Sequence, residues 1–285
     1  MRTLSGGLAL LAFLSITGPA AAHPGIGIVR DGRGNVFYTD LANVWRIDAA
    51  GVKTIAVARV HTHELWLDAT GALFGEHLWY QGDATKKWGY RVWRLGPDGS
   101  LSDVVPAREG FRTDWSFVRD AAGNGYWKEG DGAARFFVKT STGAVALLAV
   151  CADCRDVRWL AAASDGTLYF VDTGELRVVS PQGSIRTLAR GLGSKSLTQA
   201  LVADRHALMG IWTGPGGVYI ARYATREVLR VAADGTSAVA ARSSFPWAPT
   251  GGTFGPDGDL WLLEASATDA VRVRRIARDG RVTVY

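Results

Sequence analysis

The 285-residue sequence contains only two cysteines and two methionines, and it lacks the motifs of several large enzyme classes. It has no P-loop, no Rossmann glycine fingerprint and no G-x-S-x-G nucleophile elbow, so nothing in it indicates nucleotide or flavin binding. The formal net charge is +5, but the basic residues are spread along the chain without a basic run. This distribution gives no indication of a nucleic-acid partner.

Long hydrophobic stretches are also scarce. The apolar run of residues 8–16 follows Arg2 and precedes three alanines at positions 20–22, an order typical of a secretory signal peptide with an A-x-A cleavage site. The run is too short for a permanent transmembrane helix, and no later stretch is long enough. We therefore predict a signal peptide at 1–22, a secreted or periplasmic mature protein that begins at His23, and no membrane span.

The two cysteines lie close together, at Cys151 and Cys154 in the segment CADC. Two cysteines alone cannot form a structural zinc site, and no histidine follows them to make a haem-attachment motif. In a β-rich neighbourhood and an oxidising compartment, this pair predicts a local disulfide that pins a loop.

Glycine, in contrast, is abundant, with 35 residues, and it marks an internal repeat. A short apolar strand, a turn of the D/P-x-x-G type and a second strand with a polar end recur six times, as in VRDGRGNVFYTD and WLDATGALFGEH. A second glycine turn between two further strands follows each unit, as in LGPDGSLSD. Glycine suits such turns because they require a positive φ. The glycines of the first turn are Gly34, Gly71, Gly123, Gly166, Gly217 and Gly258.

Six units of four short strands predict an all-β fold, a six-bladed β-propeller of four-stranded antiparallel blades. We expect a single domain over 23–285. Its blades are predicted at 25–59, 60–108, 113–149, 156–190, 206–241 and 249–285.

Two segments resemble known propeller repeats. DGRGNVFYTDLANVWRIDAAG is similar to the NHL repeat and to the SMP-30/gluconolactonase-like group, and PTGGTFGPDGDLWLLE resembles the repeat of virginiamycin B lyase-like propellers. The resemblance implies a six-bladed propeller, and it is shared by lactonases, lyases and non-catalytic binding proteins. In the SMP-30 group a divalent-metal site begins at an E-G-P-x-W-like segment. This chain has HPGIGIV there, with His23 in place of a glutamate.

Three of the five histidines lie in VHTHELWLDATGALFGEHLWY, at His61, His63 and His77. Strands of a blade alternate in direction, so the segment before the inner strand and the end of the second strand return to the same face. We therefore expect these imidazoles to converge near the central channel. His61, His63, His77 and Glu64 are candidate ligands for one divalent metal, with zinc or another transition metal favoured over calcium.

Two alternatives to a metal site stay open. His63 or His77 acts as a general base without a metal, or the histidines belong to a surface loop. The same face is predicted to carry a polar rim from the other blades. Its members are His23, Asp40, Glu129, Asp172, His206 and Glu264, together with Trp79 and Trp88 beside the long blade 2 loop QGDATKKWGY.

These features predict an exported hydrolase of the lactonase or esterase type, or a lyase, that acts on a small carbonyl compound. The predicted catalytic residues are His63, His77, Glu76 and Arg222, with Arg222 holding an anionic group. The alternative is a non-catalytic envelope scaffold that recognises a protein, peptide or glycan through the same face. We expect a monomer.

Overall fold

The computed structural model of the protein describes residues 24–82, 84–85, 87–110, 115–130, 133–193 and 207–285. Six antiparallel sheets, here called blades 1 to 6, are arranged as a ring around a central channel to which every blade contributes its inner segment. The predicted all-β six-bladed propeller is confirmed. None of the described helices is long and apolar enough to cross a membrane.

Blades 1 to 3 occupy the first half of the chain. Blade 1 consists of β1 (Ile28–Arg30), β2 (Val36–Thr39), β3 (Asn43–Ile47) and β4 (Lys53–Ala58). Blade 2 consists of β5 (Leu65–Leu67), β6 (Leu73–Tyr80), β7 (Trp88–Leu95) and β8 (Leu101–Glu109). The described part of blade 3 contains three regular strands, β9 (Gly125–Glu129), β10 (Ala134–Lys139) and β11 (Val145–Cys151). Its inner position is taken by residues 115–119, which join β9 through a bridge between Arg119 and Gly125 and a bond from the Tyr126 N–H to the Val118 carbonyl at 2.9 Å.

Blades 4 to 6 complete the ring. Blade 4 consists of β12 (Val157–Ala162), β13 (Leu168–Asp172), β14 (Glu175–Val179) and β15 (Ile185–Ala189). Blade 5 consists of β16 (Ile211–Gly214), β17 (Gly217–Arg222), a 3₁₀ turn (Tyr223–Thr225), β18 (Glu227–Val231) and β19 (Ser237–Arg242). Blade 6 consists of β20 (Trp247–Phe254), β21 (Leu260–Ser266), β22 (Val271–Ile276) and β23 (Val282–Val284).

The glycine turns have the geometry that the repeat predicted. Gly34 and Gly71 have φ values of 89° and 80°, a region that other residues rarely adopt. In each turn the glycine N–H donates to the carbonyl of the aspartate three residues earlier, Asp31 or Asp68. One carboxylate oxygen of the same aspartate accepts two further backbone N–H groups of its own turn. These acidic residues therefore stabilise the glycine turns. The turns lie on the face of the ring opposite the histidines, and we call this face the lower face.

Apolar side chains fill the spaces between neighbouring blades. Trp93 is fully buried and packs with Phe37 of blade 1, while Trp261 of blade 6 packs with Tyr38 of blade 1. Burying a large apolar side chain contributes about 1.5–3 kcal/mol. Each sheet consists of strands that are consecutive in sequence, so in the described part of the chain blades 6 and 1 are joined by this packing without an exchanged strand.

Blade 2 differs from its neighbours in the length of its two middle strands, β6 and β7, which have eight residues each. Of the segment predicted as a long loop, QGDATKKWGY at 81–90, only the last three residues belong to a strand, since β7 begins at Trp88. Tyr80 pairs with Trp88 across β6 and β7. Trp79 lies over Gly89, where an added Cβ would come within 1.9 Å of the indole. Blade 2 therefore extends beyond its neighbours as a raised β-hairpin on the histidine face, where the N–H of Gln81 donates to the carbonyl of Lys87 at 3.0 Å.

Cys151 and Cys154 form the predicted disulfide, at the connection from β11 to β12. Both residues are buried in the apolar cluster between blades 3 and 4. The guanidinium of Arg177 contacts Sγ of Cys154 at 3.6 Å.

Candidate functional site

The central channel has a cavity volume of about 350 Å³. Backbone and small or apolar side chains form most of its wall, and Glu64, Arg119, Thr213 and Thr253 are the polar side chains among the described residues that line it. Arg119 is engaged in the wall itself, because Nε donates to the carbonyl of Ser116 at 3.0 Å and the guanidinium lies 4.4 Å from the ring centre of Trp66. Glu64 is therefore the acidic group that the channel offers.

The three clustered histidines do converge at one end of blade 2. The rings of His61 and His63 lie 4.7 Å apart in an edge-to-face arrangement. The backbone N–H of His61 donates to Nδ1 of His77 at 3.0 Å, and the N–H of Leu78 donates to the carbonyl of His61 at 3.0 Å. These bonds extend the pairing of the inner strand with β6 and hold the entering chain against it.

The bond to His77 determines which nitrogen of this imidazole carries the proton. Nδ1 accepts a hydrogen bond, so the neutral ring carries its proton on Nε2. Burial lowers the pKa of His77, and the neighbouring charges of Arg91 and His61 lower it further against the opposing effect of Asp103. His77 is therefore held as a neutral imidazole that can donate a hydrogen bond through Nε2.

Glu76 is the buried acid of this cluster, with 3% of its surface exposed. Its Oε1 accepts the backbone N–H of His63 at 3.2 Å and lies 3.8 Å from Nδ1 of the same histidine. The backbone carbonyl of Glu76 accepts hydrogen bonds from Thr62 Oγ1 and, at 2.9 Å, from Trp93 Nε1. Glu76 is thus fixed on a rigid strand directly beside the His63 imidazole.

His63 also joins two blades. Its backbone carbonyl accepts the N–H groups of Ile26 and Gly27 at 3.0 and 2.8 Å, and both donors line the channel next to Glu64. The side chain of His63 is 15% exposed. The His63–Glu76 pair therefore lies beside the mouth of the channel, on the connection between blades 1 and 2.

Several predicted rim acids are engaged in structural contacts. Asp172 accepts the backbone N–H groups of Arg155 and Asp156 at 3.1 and 2.8 Å, and Asp40 accepts the indole N–H of Trp45 at 2.6 Å. Asp172 is the last residue of β13 and Asp40 directly follows β2, and each acid holds a neighbouring part of the chain through these bonds.

Glu264 is the most enclosed of these acids. It is completely buried and accepts hydrogen bonds from Ser243 at 2.5 Å, Arg272 at 2.6 Å and Arg274 at 2.9 Å. Glu129 is more exposed and pairs with Arg135 at 3.0 Å. The repeat predicts the place of these carboxylates, but their basic partners come from the following strand and are not marked by any motif.

Arg222 lies at the end of β17, where the repeat predicted a polar side chain. Its guanidinium contacts Glu227 at 3.2 Å, and its Nε is buried without a hydrogen-bond partner among the described residues. Glu227 also pairs with Arg242.

At the raised hairpin, Tyr80 and Trp88 pair with their ring centres 4.3 Å apart, and they are 41% and 44% exposed. Trp79 lies nearer the cluster, 6.1 Å from the His77 ring. The predicted rim residues His23 and His206 lie outside the described residues.

The donor geometry does not fit a metal ion at the histidine cluster. Nδ1 of His77 is committed to a backbone N–H, and its proton therefore occupies Nε2. Within the described part of the chain, one group brings three candidate ligand atoms within 4.8 Å of one another, namely Cys151, Asp153 and Cys154. Both of those cysteines are joined in the disulfide, so this group has no thiolate to offer.

Comparison with known proteins supports the fold. No protein-family model matches the chain, and no curated protein sequence matches it. Among solved structures, a putative gluconolactonase aligns over 89% of each chain with a TM-score of 0.59 and 16% identity. Regucalcin of Agrobacterium tumefaciens, described as a calcium-binding protein, aligns over 86% of this chain and 82% of its own with a TM-score of 0.57 and 19% identity.

A streptogramin B lyase aligns over 91% of this chain and 82% of its own, with a TM-score of 0.51 and 14% identity. Identities this low show the common fold and not a common activity. The resemblance predicted from the NHL-type and lyase-type segments is confirmed at that level: the chain is a six-bladed propeller whose structural neighbours include gluconolactonase-like proteins and streptogramin B lyase.

Proposed function

We propose that the protein is a hydrolase or lyase for a small carbonyl compound, with a cyclic or activated ester as the favoured substrate class. The observation that carries the proposal is the His63–Glu76 pair beside the channel mouth, where Nδ1 and Oε1 lie 3.8 Å apart. A histidine with a buried carboxylate behind it is a common general-base arrangement, and such pairs often tighten when substrate binds. The fold shared with gluconolactonase-like proteins and with streptogramin B lyase supports this reaction class.

In the proposed hydrolysis, Nε2 of His63 takes a proton from water while the water oxygen attacks the carbonyl carbon. The bond from this carbon to the ester oxygen then breaks, and the departing oxygen receives the proton from the imidazolium. The product of a lactone is a hydroxy acid. Glu76 is the positioning residue, because its carboxylate stabilises the imidazolium and fixes the ring.

In the lyase form of the proposal, the same base, His63, removes a proton from carbon instead of from water. His63 removes a proton next to the carbonyl, and a leaving oxygen on the β-carbon departs with its electron pair to leave a double bond. In both forms Nε2–H of His77 is the proposed donor to the substrate carbonyl oxygen, since its Nδ1 is occupied by the backbone.

A resident divalent metal is not part of this proposal, because the described donors do not fit one. Metal analysis of the purified protein and assays with and without a chelator test that choice. Export, predicted from residues 1–22, belongs to the proposal and is tested by cell fractionation.

The direct test is a panel of γ-lactones, δ-lactones and aryl esters assayed with wild type, His63→Gln and Glu76→Gln. We expect His63→Gln to lower kcat by roughly 10²–10⁴-fold. Glu76→Gln should lower kcat less and shift the acidic limb of the pH–rate profile to lower pH, because the imidazolium loses its carboxylate. Glu109→Gln, an exposed acid of blade 2, is the matched control. Turnover that is unchanged in both variants, or absent on the whole panel, would contradict the proposal.

The second candidate is a binding scaffold, and the exposed Tyr80–Trp88 pair favours it. Aromatic pairs at a raised edge are suited to stacking on a sugar ring or a peptide side chain. This function predicts that Trp88→Ala abolishes retention on a glycan or peptide array while His63→Gln has no effect. The opposite pattern supports the enzyme.

A further inference from the structure

On the lower face, away from the histidines, a second cavity lies between blades 1 and 2. Its volume is about 410 Å³, which is comparable to pockets for small molecules. Turn residues of both blades form its rim, and strands β2, β4, β6 and β7 form its floor. We call this cavity the lower cleft. None of the residues proposed for catalysis lines it.

The lower cleft combines an apolar floor with basic walls. Phe37, Ile55, Leu73 and Leu95 supply the apolar surface, and Phe37 and Leu73 are buried parts of the core between the two blades. Ile55 is 51% exposed, so apolar surface remains open to a ligand. The exposed guanidinium-bearing side chains of Arg33 and Arg46 line the same cavity.

A third arginine, Arg94, lies next to this cavity. An adjoining open depression of about 480 Å³ is lined by Arg33, Arg94, Pro97, Asp98 and Ser100. Among the described residues, no carboxylate approaches Arg33, Arg46 or Arg94 within the 4.0 Å of an ion pair. Arg33 and Arg46 therefore line the cavity without an ion-pair partner among the described residues. Arg94 lies beside the cavity, and its charge also acts on the carboxylates of Asp68 and Asp98.

The acids near these arginines are occupied by their own turns. Asp31 accepts the N–H groups of Arg33 and Asn35 on Oδ1 and the side-chain amide of Asn35 on Oδ2. Asp98 accepts both the backbone N–H and the hydroxyl of Ser100 on Oδ1. The cavity and the adjoining depression together are lined by three arginines and two aspartates. Both oxygens of Asp31 and Oδ1 of Asp98 accept hydrogen bonds within their own turns.

We propose that the lower cleft binds a small amphipathic anion, a molecule with an apolar body and one carboxylate or phosphate group. The body would lie on Phe37, Ile55 and Leu95, and the anionic group would contact the guanidiniums of Arg33 and Arg46. Arginine suits this role because its planar donors match two oxygens of a carboxylate or phosphate at once. The site is independent of the proposed reaction and lies on the opposite face of the ring.

Titration calorimetry with phenyl phosphate, phenylacetate, inorganic phosphate and benzyl alcohol tests the proposal. We expect one of the two aryl anions to bind with a Kd below about 1 mM, and the stronger of them identifies the anionic group. Inorganic phosphate should bind at least about tenfold more weakly because it lacks the apolar body. Benzyl alcohol should not bind measurably.

Three variants and two controls make the test specific. Arg33→Gln and Arg46→Gln should each weaken binding roughly tenfold, as expected for a lost charged hydrogen bond, and Ile55→Ser should weaken it by a smaller factor. Arg186→Gln, an exposed arginine of blade 4, and His63→Gln should leave binding unchanged. The proposal is overturned if no aryl anion binds saturably, if both arginine variants of the cleft bind like wild type, or if Arg186→Gln weakens binding as much as they do.

Discussion

Nδ1 of His77 accepts the backbone N–H of His61 at 3.0 Å, so one imidazole fixes the segment that brings two other histidines to the channel. Burial is the main reason that the pKa of His77 lies below its ordinary value, which is about 6.5. The unfolded chain therefore binds a proton at this position before the folded protein does. The contribution of His77 to stability is complete above about pH 6.5 and is lost as the pH falls toward the lower folded-state pKa.

We predict that His77→Asn reduces the loss of stability between about pH 6.5 and 5. Asparagine retains an oxygen that can accept the His61 N–H but does not titrate. Thermal unfolding midpoints of wild type and variant across this pH range measure the effect. Parallel pH profiles of the two proteins would show that His77 does not titrate differently on folding.

Gly75 provides the space for the Trp93 ring, and we predict that Gly75→Ala destabilises the protein by about 2–3 kcal/mol through overpacking. A Cβ at this position would lie 2.1 Å from the indole, so Trp93 or the strand must move. Because the Trp93 N–H bonds to the carbonyl of Glu76, the proposed activity should fall as well. Gly32→Ala is the control, since an added Cβ there meets nothing within 4 Å. Urea unfolding of both variants gives the comparison, and equal stabilities would refute the steric account.

Glu264 stabilises blade 6 as a buried anion between two arginines, and we predict that Glu264→Gln costs about 3 kcal/mol. The substitution preserves the volume of the side chain but leaves Arg272 and Arg274 without their carboxylate. Glu109→Gln breaks an exposed pair with Lys87 and should change the free energy of unfolding by less than about 0.5 kcal/mol. Similar unfolding midpoints in urea for the two variants would count against the buried ion cluster.

The disulfide closes a loop of only four residues, from Cys151 to Cys154. The disulfide lowers the conformational entropy of the unfolded chain, and for a loop of this length the effect stabilises the folded protein by about 2 kcal/mol. We predict that the double variant Cys151→Ala, Cys154→Ala melts at lower temperature than wild type and that the turnover of any identified substrate is unchanged. A reductant should lower the melting temperature of wild type and leave that of the variant where it is. An insensitive wild type would indicate that the disulfide adds nothing to stability.

The fold could be predicted from the sequence because the turns that define its hairpins depend on local backbone conformation. Each tight turn requires a residue that tolerates a positive φ, and the spacing of glycines such as Gly34 and Gly71 therefore reveals the hairpins directly. The convergence of His61, His63 and His77 was also predictable, since alternating strand directions bring both ends of a hairpin to one face.

Side-chain partners could not be predicted in the same way. The sequence places Glu264 and Asp172 at a polar rim, but their hydrogen bonds depend on arginines and amides that pack against them only in three dimensions. The tautomer of His77 likewise depends on one backbone N–H that becomes available when blade 2 forms. The blade 2 loop was predicted too long because alternating aromatic and polar residues near its ends allow either a loop or continued strands.

Among the residues that the structure describes, blade 3 has fewer backbone hydrogen bonds between its inner segment and its second strand than the other blades have. Residues 115–119 are joined to β9 by the Arg119–Gly125 bridge, a bond from the Tyr126 N–H to the Val118 carbonyl at 2.9 Å, and the Ser116 hydroxyl. Regions with few backbone bonds open at lower free energy than the rest of a protein. Amide hydrogens at Gly125 and Tyr126 should therefore exchange with solvent before the amide hydrogens in the second strands of the other blades. Blade 3 would then be the part of the ring that opens first.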